Sequence, residues 1–295
     1  MKPFSLFKPL LLFLLLLPIH LIWAQKTPVA YRLFDANGRE ISYQTLVKAL
    51  ALPDVVFFGE MHNCAMTHWL ELKLLEDLYR MHGQDLAVGM EMFEADNQLI
   101  LDEYMHGVIS SDRFEAEMRL WPNYSTDYAP LVTFLKEQNV RLIATNVPRR
   151  YANVVKNRGW AYLDSLSAEA KSYLPPLPIP YVANANATSG FALMGLMGKN
   201  KEANPERMAQ AQALKDATMA WHISKNLRGK MLHINGSYHS DQREGIIPYL
   251  LRYRPGTTIK TLRAVRQEDV SRLEPDYKGL ADFYICVPED MSMSY

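Results

Sequence analysis

Cysteine is nearly absent from this chain, which holds two, Cys64 and Cys286. Two cysteines cannot build a disulfide scaffold, so the fold must rest on a hydrophobic core. Whether the two pair is not readable from their positions. An excess of either charge is also missing, with 32 basic residues against 32 acidic ones. That balance removes the electrostatic reason to expect a nucleic-acid partner. No fixed-period repeat is visible, which argues against a solenoid.

What is present begins at the N-terminus. Lys2 and Lys8 precede an apolar run from Leu10 to Leu17, and Ala24 supplies a small residue before Gln25. This order of basic, apolar and small residues is that of a secretory signal, expected over residues 1–24. Pro18 and His20 interrupt the run and leave it short for a membrane span. The expected mature chain, 25–295, is exported across the inner membrane to the periplasm or envelope. No cysteine follows the run where lipid attachment would need one. Removing residues 1–24 leaves 271 of 295, enough for one large α/β domain with a full core.

Short apolar runs alternate with longer amphipathic stretches. Strands are expected at 54–60, 86–91, 140–145, 230–235, 258–264 and 281–287. Helices are expected at 64–81, 96–106, 128–138, 148–157, 205–227 and 244–252. The alternation predicts an α/β fold, a mainly parallel sheet with helices on both faces. Pro175–Pro180 predicts an extended connection. The methionine- and glycine-rich stretch 184–204 reads either as a core helix or as an adaptable apolar surface. Residues 94–130 and 160–228 are the expected insertions of a helical cap.

Four of these strands end in polar residues. The first runs into Glu60 and His62, the second into Glu91 and Glu94. The third runs into Asn146, Arg149 and Arg150, the fourth into Ser237, Tyr238 and His239. In a parallel sheet these ends lie along one edge, where open α/β folds bind ligands. Two ends share a Gly-x-x-His spacing, Gly59–His62 and Gly236–His239. The glycine permits a sharp exit from the strand and the histidine falls just past it. Glu60 and His62 are two apart, so they face one ligand only if the chain turns after Gly59.

In these stretches the chain resembles the ChaN-like haem-binding uptake proteins of the Tiki superfamily. The resemblance is carried by VVFFGEMH at 55–62, GMEMFE at 89–94, DYAPL at 127–131 and IATN at 143–146 with Pro148 and Arg149. It continues through Ala209, Gln210, Asp216, Met219 and Ala220 to GSYH at 236–239, and it spans about 50–255. It implies an envelope role in haem iron uptake, with haem held between two protomers of a homodimer. An outer-membrane haem receptor or envelope transport component is the implied partner. Many such proteins are lipoproteins; this chain lacks the acceptor cysteine, so the resemblance does not extend to tethering.

Haem iron accepts Tyr or His as axial ligand, and the candidates are Tyr124, Tyr128, Tyr151 and Tyr181. Arg149 and Arg150 suit haem propionates as bidentate donors. With Glu60, His62, Glu91 and His239 these complete the expected cofactor site. A competing reading uses His62, His239, Glu60 and Glu91 to hold Zn²⁺ or Mn²⁺ in a metal-dependent hydrolase, in line with superfamily members that resemble metal-dependent proteases and erythromycin esterases. Against it, the His-Glu-x-x-His pattern is missing. Ser237 lacks a nucleophile elbow, and Cys64 has no supporting partner. His82, His106, His222 and His233 read as ordinary surface or core histidines.

Overall fold

The computed structural model describes residues 28–181 and 204–294. The expected signal segment lies outside the described residues, as does the methionine- and glycine-rich stretch up to Asn204. In chain order the elements are β1 (Arg32–Asp35), α1 (Tyr43–Leu50), β2 (Val55–Glu60), α2 (Ala65–His82) and β3 (Leu86–Glu94). Next come α3 (Gln98–Met105), α4 (Ser111–Glu117), α5 (Ala129–Glu137), β4 (Arg141–Asn146), α6 (Arg149–Arg158) and α7 (Ala168–Ser172). The rest are α8 (Pro205–Asn226), β5 (Lys230–Gly236), α9 (Ile246–Tyr253), β6 (Ile259–Gln267) and β7 (Phe283–Pro288).

The strands form one sheet in the order β1-β7-β6-β2-β5-β3-β4. All pairings are parallel except that of β1 with β7. The fold is therefore the α/β architecture expected, with one antiparallel edge strand added. The apolar runs explain the layering, because successive side chains point to opposite faces. Val56 and Phe58 enter a core with Leu74 and Leu75 of α2 and Leu131 and Leu135 of α5. Val55 and Phe57 enter a second core with Val155 of α6, Leu214 and Ala217 of α8, and Leu250 of α9.

The stretch 94–130 closes the first core: Tyr104 stacks on Phe114 with centroids 4.3 Å apart, and Tyr124 packs against Phe93 and Phe114. Helix α8, within the stretch 160–228, packs against β4, α6 and α9 and forms part of the second helical layer. Its start is fixed by Asn204, whose side chain accepts from Arg207 N, and by Pro205 in the first turn. The exposed edge of β4 is covered by Gln98, which donates to Leu142 O and accepts from Ala144 N as a neighbouring strand would. No helix among the described residues is long and apolar enough to cross a membrane.

Candidate functional site

Strands β2, β5 and β3 are successive neighbours in the sheet, so their ends stand side by side. Glu60 is the register partner of Gly236 across β2 and β5. The chain leaves β2 after Glu60, and His62 folds back so that its Nδ1 lies 2.6 Å from Glu60 Oε1. The turn needed to bring these two together is therefore made. The His62 ring lies over Gly236, with Trp121 edge-on at 4.7 Å. Its side chain is 36% exposed.

On the far side of Gly236, Glu91 Oε2 accepts from Gly236 N at 2.9 Å. Glu91 Oε1 lies 3.3 Å from His239 Nε2, and His239 Nδ1 lies 2.6 Å from Asp216 Oδ1 on α8. Both imidazole nitrogens thus face carboxylates. Burial alone would lower the pKa of His239, but Glu91 and Asp216 outweigh it and lift it to about 10. Burial works against ionised Glu91, yet His239 beside it holds its carboxyl well below the usual range. Tyr238, 43% exposed, stands next to His239 on the same turn. Burial and the nearby Asp216 push its hydroxyl up to about 12.

Beneath Glu60 lies a second polar group, wholly buried. Tyr128 donates its hydroxyl to Glu60 Oε1 at 2.7 Å. His68 Nδ1 lies 3.0 Å from Glu71 Oε2 and 3.6 Å from Glu60 Oε2, and its Nε2 faces the His62 carbonyl at 3.2 Å. Asn123 donates to that carbonyl and to Asp127. Burial and the neighbouring Glu71 push Glu60 up to about 8, and burial pushes Glu71 to about 8. Among the described residues the two acids crowd each other with no lysine or arginine beside them, and Glu60 Oε2 and Glu71 Oε1 have no hydrogen-bond partner.

At the ends of β3 and β4, Glu94 and Asp96 are ringed by Arg119, Arg149 and Arg150. Arg149 pairs with Glu94, Arg150 with Asp96, and Arg119 with both. Arg149 keeps 60% of its side chain exposed.

The predicted residues fall into five places. Glu60, His62, Glu91 and His239 meet around Gly236, and Arg149 flanks them on the β3–β4 side. Tyr128 is sealed under Glu60. Tyr124 is buried between Phe93 and Phe114, and burial raises its pKa. Tyr181 leans on Trp160, its hydroxyl buried without a partner among the described residues and its pKa raised by burial. Tyr151 lies under the Arg150 guanidinium. Among the described residues the ligand atoms of the four residues expected to hold a metal do not all lie within 4.8 Å of one another; those of Glu60, His68 and Glu71 do.

His68, Glu71, Asn123 and the partnership of Asp216 with His239 were not anticipated. The signal for the first two lay in spacing: Thr67, Glu71, Leu74 and Leu78, with His68 and Leu75, are the buried face of α2. Trp69, apolar and within the same helix, is 47% exposed.

A family model for "Haem-binding uptake, Tiki superfamily, ChaN" matches residues 46–250, a span that contains every group described above. The fold is similar to that of Campylobacter jejuni ChaN with cofacially bound haem, at 18% identity and a TM-score of 0.65, covering 86% of this chain and 96% of that one. It is also similar to a mutant of the erythromycin esterase EreC in its open conformation, at 11% identity and a TM-score of 0.51, covering 90% and 99%. Arabidopsis thaliana RETICULATA-RELATED 5, a chloroplastic protein, is 23% identical over 200 residues; the match spans 63% of this chain and 27% of that relative's length.

Proposed function

The chain belongs to the ChaN family of haem-binding uptake proteins in the Tiki superfamily, and we propose that it carries haem on the carboxyl-end edge of its sheet, between two protomers, as an exported protein of haem iron uptake. One observation carries the reading. The two Gly-x-x-His turns lie within the family match, and they leave His62 and Tyr238 reachable by solvent on neighbouring strands.

The donor set fits haem. Bound haem supplies a ferric centre with an axial position to fill and two propionates. Tyr238 and His62 would offer the donors to its iron, and Tyr181 stands close enough to Tyr238 to influence it electrostatically. Tyr124 and Tyr128 do not fit, because a ligand must reach the iron and both rings are shut in the core. The exposed guanidiniums of Arg149 and Arg150 suit the propionates, while Glu94 and Asp96 hold them from behind. Trp121 offers apolar cover beside His62. A porphyrin has two apolar faces, so sharing it between two protomers shields it better than one edge does, and haem then favours the dimer by linkage.

Haemin titration of the exported protein, followed by absorbance beside size-exclusion chromatography, tests this. A saturable spectral change at micromolar haemin with a shift to dimer is expected. No saturable change would overturn the reading.

The Asp216–His239–Glu91 chain does not favour a hydrolytic reading: both imidazole nitrogens face carboxylates and the ring's pKa is lifted to about 10, whereas a general base needs a free nitrogen that titrates near the working pH.

A further inference from the structure

The buried group under Glu60 has a feature that the haem edge does not use. The His62 carbonyl, 3.2 Å from His68 Nε2, can only accept, so that nitrogen carries a proton. In the neutral ring the lone pair is then on Nδ1. It points at Glu71 Oε2 at 3.0 Å and Glu60 Oε2 at 3.6 Å. A lone pair and two carboxyl groups converge there. The ion pairs of Glu60, Glu71 and Asp127 among the described residues are with histidine alone.

Glu60, His68 and Glu71 are 2%, 3% and 0% exposed, and buried charges are paired or coordinate metals. The orphan oxygens Glu60 Oε2 and Glu71 Oε1 have no donor. A tetrahedral cation with ordinary bonds to nitrogen and oxygen sets its ligand atoms about 3.3–3.6 Å apart. The separations from Nδ1 bracket that range. Behind the ring, Asp127 Oδ2 lies 3.6 Å from Nε2, on the side where ligating histidines meet an orienting carboxylate.

We propose that Glu60, His68 and Glu71 bind one divalent first-row cation beneath the sheet edge. One imidazole and two carboxylates suit Zn²⁺ or Mn²⁺. This set differs from the strand-end histidines expected to hold a metal: it takes one residue from β2 and two from α2, and excludes His62, Glu91 and His239. The ion is structural, being sealed from solvent. It clamps Glu60, whose other oxygen holds Tyr128 and His62, and so sets the orientation of the exposed His62 ring. The proposal is independent of haem.

The test uses the haem-free exported protein, stripped by dialysis against a chelator. It is titrated with Zn²⁺ and with Mn²⁺, with bound metal counted by elemental analysis and Tm measured with and without metal. The wild type is expected to retain one equivalent of one of the two ions and to gain Tm with it. Glu71→Gln keeps the size of the side chain but loses the charge, and should weaken binding by at least the roughly 10–100-fold that losing an outer-shell partner costs. His239→Gln should keep the full equivalent. Wild-type protein that holds no equivalent and shows no metal-dependent Tm overturns the proposal, with shared protons alone filling the gap. An equivalent that survives Glu71→Gln and disappears with His239→Gln overturns it as well. Should Glu71→Gln fail to fold, wild-type stoichiometry and the His239→Gln comparison still decide.

Discussion

The imidazole of His62 lies directly over Gly236: a β-carbon built on that glycine would fall 2.7 Å from both Cε1 and Nε2. The close approach joins the two Gly-x-x-His turns, because the glycine of one is the floor for the histidine of the other. It also explains why glycine is needed here although its backbone conformation is ordinary (φ −56°).

Gly236→Ala therefore displaces the His62 ring, while Glu91 Oε2 meets the added carbon at an ordinary 3.6 Å. Overpacking of this kind costs about 1–3 kcal/mol. The expected outcome is a stability loss of that order in urea denaturation, together with weaker haem binding. A variant with wild-type haem affinity would separate the His62 ring from the site.

Tyr128→Phe removes the hydroxyl donated to Glu60 and leaves the ring packed. A buried acceptor that loses its donor costs about 1–3 kcal/mol. Denaturant midpoints should fall accordingly, while haemin affinity stays within about twofold of wild type, far inside the tenfold that 1.4 kcal/mol represents. A large loss of haem affinity with intact stability would make Tyr128 a ligand after all.

The pH dependence of stability follows from His239. Its native pKa is lifted from 6.5 to about 10 against the lowering effect of burial, by Glu91 and Asp216. The native state keeps a proton that the unfolded chain releases, so this contribution is whole below pH 6.5 and is lost as pH climbs to about 10. Glu91 works on the acid side: its pKa is depressed, so its contribution holds above its ordinary 4.5 and is lost on acidification. His233, pushed down to about 4 by burial, acts oppositely but has finished titrating by its ordinary 6.5. Glu60 and Glu71, raised to about 8, add to the decline up to that pH, so denaturation at pH 7, 8.5 and 10 should show falling stability and His239→Gln should flatten the part between 8.5 and 10. A flat wild-type profile would contradict the assignment.

Export is expected to leave a chain that begins at Gln25, on the grounds of the basic, apolar and small-residue order at the N-terminus. Intact-mass measurement of the exported protein checks this. Retention of Met1 on that protein would contradict it.

Much of the frame was legible in the sequence because its strands are buried on both faces. A run such as VVFFGE needs no partner information to be read as a central strand. The polarity of the strand ends was equally visible, and Glu60, His62, Glu91 and His239 do meet. Strand β1 was missed because it is four residues long and pairs with β7, some 250 positions away. His68 and Glu71 were missed for a different reason: they occupy core positions of α2 that the hydrophobic pattern assigns to apolar residues. Their burial depends on Glu60 and Tyr128, which come from other elements. Tyr124 and Tyr128 illustrate the converse, since nothing local to a tyrosine says whether its hydroxyl will face solvent or a buried carboxylate.

Haemin titration of three proteins side by side tests the account most directly: wild type, the double variant His62→Ala with Tyr238→Phe, and Tyr124→Phe. The account predicts saturable binding by wild type and by Tyr124→Phe, and loss of at least roughly tenfold in affinity, about 1.4 kcal/mol, in the double variant. Equal affinity across all three, or a loss confined to Tyr124→Phe, would contradict a haem site on the carboxyl-end edge of the sheet.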